Sequence, residues 1–166
     1  MSEKSGSIIT VGIITVSDRA SVGEYEDLGG PALRVAAEGY GWVVAAEAIV
    51  PDEQEAIQEA ILSFHSQGCG LILTTGGTGI AVRDVTPEAI RAIMRTEVPG
   101  FGEIMRQRSF EITPNAILSR GLAALVRTSF VIALPGKPKG AVECLSFVRG
   151  AVDHAVKLAQ RLPTSC

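Results

Sequence analysis

Three short apolar runs without polar alternation limit what this chain can fold into. Residues 8–16, 70–75 and 130–134 are nearly continuous in Val, Ile, Leu, Ala and Thr. A strand with one wet face alternates polar and apolar residues, whereas an unbroken run suits a strand buried on both faces. Strands of that kind sit in parallel sheets covered by helices. The segments between the runs fit this. Pro31 opens a helix to about Gly39, residues 42–50 form a further strand, and Pro51-Asp52-Glu53-Gln54-Glu55 opens a helix to about Gln67. Thr86 before Pro87 reads as N-cap and first helical residue of a third helix. After Pro99 another follows, with Phe101, Ile104, Met105 and Arg108 at helical spacing. Residues 116–119 and 122–127 read as a small side ribbon, and residues 141–162 as a final helix. The expected fold is α/β, in three α/β/α layers around a mostly parallel sheet, plus a small β-ribbon. Residues 1–7 are read as a frayed tail and residues 8–166 as a single domain.

At 166 residues the chain can bury a full core without staples. Mean hydropathy is positive, yet no apolar run approaches the ~20 residues of a spanning helix, so no membrane association is expected. The net charge of −3 leaves no footprint for nucleic acid. It also means that an anionic ligand must be held by local groups or a metal. Cys69, Cys144 and Cys166 form no Cys-x-x-Cys pair. Free thiols fit a reducing, cytoplasmic setting. His65 and His154 lie far apart, without companion ligands, and read as structural.

In parallel sheets ligands bind outside the carboxyl ends of the strands. Four such ends carry polar motifs: Ser17-Asp18-Arg19, Pro51-Asp52-Glu53, Thr74-Thr75-Gly76-Gly77-Thr78-Gly79 and Pro135-Gly136-Lys137-Pro138. The third is the sharpest. Its glycines let a ligand approach the backbone, its N–H groups can form an anion-binding concavity, and its threonines add hydroxyls. It is neither a Walker A loop nor a dinucleotide fingerprint. Asp84, five residues on, suits Mg²⁺ shared with phosphate oxygens, or else a turn bonding to its own backbone. Asp52 reads equally as a functional carboxylate and as half of a capping box with Glu55. Asp18 and Arg19 can serve a phosphate or form a surface ion pair. Lys137 beside Gly136 is a further candidate anion contact. Ser119 and Arg120 have no independent mechanism.

Taken in order, these strings resemble the MogA/MoaB family of molybdopterin adenylyltransferases, whose domain recurs in gephyrin. The resemblance runs from Ser17-Asp18-Arg19, with Gly23, Tyr25 and Asp27, through Pro51-Asp52-Glu53, the glycine loop and Arg83-Asp84-Val85-Thr86-Pro87-Glu88. It continues through Pro99-Gly100-Phe101, Ile117-Leu118-Ser119-Arg120 and Leu134-Pro135-Gly136-Lys137-Pro138-Lys139. It implies transfer of AMP from ATP to the terminal phosphate of molybdopterin, with release of pyrophosphate. Asp52 and Asp84 would be the catalytic carboxylates and hold Mg²⁺. Ser17, Asp18, Arg19, residues 74–79 (Thr74, Thr75, Gly76, Gly77, Thr78 and Gly79), Ser119, Arg120, Pro135, Gly136 and Lys137 would bind the substrates. A homotrimer and a downstream molybdenum-insertion partner are also implied. The alternatives are a MoaB-like binding protein with little turnover and a nucleotide hydrolase using the same loop.

Overall fold

The computed structural model describes residues 7–164. The expected tail therefore lies, apart from Ser7, outside the described residues, as does Cys166. In chain order the elements are β1 (Thr10–Val16), α1 (Asp18–Ser21), α2 (Gly29–Gly39), β2 (Val43–Val50), α3 (Gln54–Ser66) and β3 (Leu71–Thr75). There follow α4 (Thr86–Ile93), β4 (Thr96–Glu97), α5 (Pro99–Phe110), a 3-10 turn (Pro114–Leu118), β5 (Ala123–Val126), β6 (Ser129–Leu134) and α6 (Pro138–Ala159).

The strands form one sheet in the order β2-β1-β3-β6-β5-β4. β2, β1, β3 and β6 run parallel, while β5 pairs antiparallel with both β6 and β4. β3 and β6 are buried along their whole length, as their unbroken apolar runs require. β2 lies at the edge and alternates between exposed and half-buried residues. Two cores flank the sheet. Val11, Ile13, Leu73 and Ile132 pack against α2, α5 and α6 through Leu33, Met105 and Leu145. Ile14, Ile72 and Val131 pack against α3 and α4 through Ile57, Ile61 and Ile90.

Three expectations need correction. There is no separate ribbon: residues 116–118 belong to the 3-10 turn, and β5 extends the main sheet beside β6. Pro114 and the polar residues beside it favour a turn, whereas Ala123, Ala124 and Val126 can be buried as strand. β4, two residues long, carries no sequence pattern of its own. Thr86 is not an N-cap. It is helical and fully buried, and its hydroxyl donates to Gly76 O (2.9 Å), holding α4 against the glycine loop. In α5, Phe101 and Met105 face the core, but Ile104 is exposed. A helix lying flat on the sheet buries one narrow stripe, and Ile104 falls outside it.

β1 leads to β2 on one side, and the chain then crosses back to β3 on the other. The strand order thus reverses between β1 and β3. A crevice forms at such a point, between the carboxyl ends of the diverging strands. Ser17 and Gly76 follow those two ends directly.

Candidate functional site

The glycine loop lies across this crevice and is tied to the neighbouring strand end. Gly76 N–H donates to Leu134 O (3.1 Å), and the Thr75 hydroxyl donates to Pro135 O (2.7 Å). Gly76 has φ +105°, and a Cβ there would collide with the Val16 carbonyl oxygen. Gly77 has φ +67°, and a Cβ there would strike the Thr86 hydroxyl and lie 3.2 Å from Asp52 Oδ1. Both positions therefore require glycine for backbone conformation and for space. Among the described residues, the N–H groups of Gly77, Thr78 and Gly79 make no hydrogen bond. Three consecutive donors without a protein partner on a half-buried loop can meet an anion, since a buried N–H costs free energy until it finds an acceptor.

Two cavities open on either side of this loop. The larger, about 530 Å³, runs from Gly77, Thr78 and Gly79 to Met105, Ile112 and Leu118. Ser119, Pro135, Gly136, Lys137 and Cys144 also line it. The smaller, about 280 Å³, is lined by Thr15, Ser17, Tyr25, Asp27, Asp52 and Thr75, among others. Gly77, Asp84 and Gly136 border both. One wall therefore separates a broad, mostly apolar chamber from a narrow, acidic one.

The carboxylates are placed by different means. Asp84 N–H donates to Ala81 O (3.0 Å), and Ala81 N–H donates to Asp84 Oδ2 (2.9 Å). This closes a tight turn, as the turn reading expects, and leaves Asp84 on the shared wall. Asp52 does not cap α3; Glu53 occupies the N-cap position and forms no side-chain cap bond. Instead Asp52 Oδ2 accepts from Asp18 N–H (2.9 Å), and Asp18 Oδ1 accepts from Asp52 N–H (2.9 Å). The β1 and β2 ends lie side by side, so this exchange competes successfully with capping. Burial raises the Asp52 carboxyl pKa above its ordinary value, and the neighbouring Asp18 and Asp84 charges add to the rise. Asp18 shifts the other way, lowered chiefly by hydrogen bonds from Arg83.

These residues fit a divalent cation. Asp52 and Asp84 border the same small cavity beside the unpaired N–H groups, and a positive charge between them would relieve their mutual repulsion. Among the described residues no cluster of three or more His, Cys, Asp or Glu forms a metal cage. Mg²⁺ is commonly held by one or two carboxylates together with phosphate oxygens and water.

Four of the sequence-derived site residues stand away from these two chambers. Arg19 is exposed, its guanidinium over the Tyr25 ring at 5.3 Å. Asp18 is engaged by Arg83. Thr74 is fully buried with an unpartnered hydroxyl, because strand alternation directs it toward the α3/α4 core and Thr75 toward the crevice. Arg120 clasps the loop from behind. Its Nε–H donates to Gly79 O (2.8 Å), its Nη2–H to Asp84 O (2.8 Å), and its third nitrogen pairs with Glu88. Its backbone N–H donates to Thr78 O (2.7 Å).

Sequence reasoning missed Met105, Ile112, Thr113, Asn115 and Leu118 as chamber residues, and Arg83 as the partner of Asp18. Of these, only Met105 belongs to a helical stripe, which reads as core. The other chamber residues sit on turns whose docking is tertiary.

The site thus joins a glycine loop at the switch point of a mixed α/β sheet to two neighbouring carboxylates. The chain belongs to the family described as "Probable molybdopterin binding domain", whose model matches residues 12–154. It is 42% identical over 153 residues to a molybdopterin adenylyltransferase of Helicobacter pylori, covering 90% of this chain and 87% of that protein. It is 40% identical over 157 residues to the Escherichia coli protein of the same name, covering 89% and 77%. Among solved structures, the molybdopterin biosynthesis enzyme MoaB from Thermus thermophilus superposes with a TM-score of 0.87. It is 43% identical, over 95% of this chain and all of that one.

Proposed function

We propose that the protein is a molybdopterin adenylyltransferase in molybdenum cofactor biosynthesis. A terminal phosphate oxygen of molybdopterin attacks the α-phosphorus of ATP. The bond from that phosphorus to the β-bridging oxygen breaks, pyrophosphate leaves, and adenylyl-molybdopterin forms. Relatives of that name at 40–42% identity support the activity. The observation that carries it to this site is the row of unpaired N–H groups at Gly77, Thr78 and Gly79 on the wall between two chambers.

The chemistry asks little of a protein nucleophile. A phosphate monoester with a second pKa of ~6 is largely dianionic at neutral pH. The demand is to hold two polyanions in line and offset their repulsion. The cradle N–H groups bind phosphate oxygens, Lys137 lies at the rim to neutralise them, and Thr75 and Thr86 fix the loop. Asp84 and Asp52 would hold Mg²⁺, which when bound would supply positive charge to the phosphates. The two chambers accommodate the pterin and the adenosine on opposite sides of the wall.

A MoaB-like binder with little turnover is the second reading. Pyrophosphate release from Mg-ATP, measured with and without molybdopterin, decides. Release that requires molybdopterin supports the transferase. Binding without release supports the binder, and release without pterin supports a hydrolase. The homotrimer, the cytoplasmic setting and a downstream molybdenum-insertion partner belong to the same proposal. No described helix is long and apolar enough to cross a membrane.

A further inference from the structure

Two residues beside the smaller chamber have no role in this scheme, although they are bonded more specifically than a surface pair needs to be. Asp18 starts α1, directly after β1. Its Oδ2 accepts from Arg83 Nε–H (2.9 Å), and its Oδ1 accepts from Arg83 Nη2–H (2.8 Å) and from Asp52 N–H (2.9 Å). Its own N–H donates to Asp52 Oδ2 (2.9 Å). One carboxylate thus ties together the ends of β1 and β2 and the segment beyond the glycine loop.

The pair is poorly placed to stabilise the fold. The Arg83 and Asp18 side chains are 59% and 41% exposed, and solvent screens much of the attraction of such a pair. It is also poorly placed to hold substrate. Neither residue borders the two chambers, and Arg83 already presents its fork to Asp18 in the bidentate geometry that a phosphate would otherwise take. What the arrangement does supply is orientation. A free aspartate carboxylate rotates broadly about its last torsion. At Asp52 one oxygen is committed to Asp18 N–H, so the other, Oδ1, is left beside Gly77. Asp18 Oδ1 holds the Asp52 backbone at the same time, and Arg83 holds Asp18.

We propose that Asp18 and Arg83 are positioning residues. They form a strap in which the Asp18 side chain, held by Arg83, fixes the Asp52 backbone, while the Asp18 main-chain N–H takes one Asp52 carboxylate oxygen and leaves the other presented to the glycine loop. The kinetic consequence rests on the adenylyltransferase reading; the structural one does not.

The test uses Asp18→Ala, Asp18→Asn and Arg83→Gln in the full chain. Misplacing a reacting group by an ångström can cost about 100-fold in rate, so Asp18→Ala is expected to lower kcat by ~10–100-fold. KM for ATP and for molybdopterin should stay within about twofold, since no substrate contact is removed. Asp18→Asn keeps an oxygen for Asp52 N–H and should recover most of kcat. Arg83→Gln should fall between them. Independently of turnover, amide hydrogen exchange at Asp52 should accelerate in Asp18→Ala and Arg83→Gln, and stay near the parent rate in Asp18→Asn. If the parent protein lacks transferase activity, exchange at Asp52 alone decides the strap. A tenfold rise in KM with kcat unchanged would make the pair a substrate contact and overturn the proposal. Unchanged Asp52 exchange in Asp18→Ala would overturn it as well.

Discussion

The two chambers share a wall and little else. The larger is lined by Met105, Ile112, Ala116, Leu118, Ala133 and Pro135, side chains that suit a flat ring system. The smaller carries Asp27, Asp52, Thr15, Ser17 and Thr75, with the backbone of Gly29 and Gly76. They are built differently too. The larger forms between α5, the 3-10 turn and the start of α6. The smaller forms between strand ends held together by side-chain hydrogen bonds. Apolar surface in the one and fixed polar geometry in the other would let one loop serve two unlike parts of a reaction.

Substitutions in the wall should strike both chambers and have the largest effects. Gly76→Ala places a methyl group on the Val16 carbonyl at φ +105°. Backbone strain alone costs ~1–3 kcal/mol there, so a fall in Tm of about 5 °C or more is expected by calorimetry, with loss of activity. A Gly76→Ala protein with the parent melting temperature would show that the loop is not wedged against β1.

Asp84→Asn separates the wall's chemistry from its structure. An asparagine oxygen can still accept Ala81 N–H, so the turn and the Tm should persist. Removing the charge should lower kcat by about two to three decades. Near-parent turnover at saturating Mg²⁺ would take Asp84 out of the reaction.

Leu118→Ala tests whether the larger chamber acts alone. Leu118 is 47% exposed; losing part of its contact with a ring is worth about 1 kcal/mol, roughly fivefold in KM. The rise should affect either molybdopterin or ATP, leaving the other unchanged. Equal rises for both would mean that the chambers do not divide the substrates.

The smallest effect concerns the clasp behind the wall. The Arg120 hydrogen bond holds the Glu88 carboxyl below its ordinary value of 4.5. A carboxylate with a depressed folded pKa adds stability that is complete above its unfolded value and is lost as pH falls through the folded one. The pair is partly exposed, so the contribution is about 1 kcal/mol or less. Glu88→Gln should therefore be slightly less stable than the parent at about pH 7, with the gap closing below about pH 4.5. Denaturant titrations at the two pH values check this. A gap that widens in acid would reverse the sign assigned to Glu88.

The two chambers also differ in how far the sequence foretells them. The unbroken apolar runs identify β3 and β6 because burial on both faces leaves no room for polar alternation. The strand-end motifs place Ser17, Asp52, Thr75 and the glycine loop on one edge, because parallel strands end together. The smaller chamber is therefore largely legible. The larger is not: Ile112, Thr113, Asn115 and Leu118 lie on a turn whose position depends on α5 and α6 packing, and turn residues carry no periodicity. Arg120 is legible only as part of a resemblance, and its clasp on Gly79, Asp84 and Glu88 depends on residues 32 or more positions away. Asp52 reads as a possible cap because local spacing cannot register that Asp18, 34 residues earlier, competes for its carboxylate.

The most direct test of a shared wall is a crystal structure of the protein with adenylyl-molybdopterin bound. The diphosphate linkage is expected within hydrogen-bond distance of the N–H groups of Gly77, Thr78 or Gly79, with the pterin on one side of the wall and the adenosine on the other. Both ring systems in one chamber, or a linkage remote from those N–H groups, would contradict it.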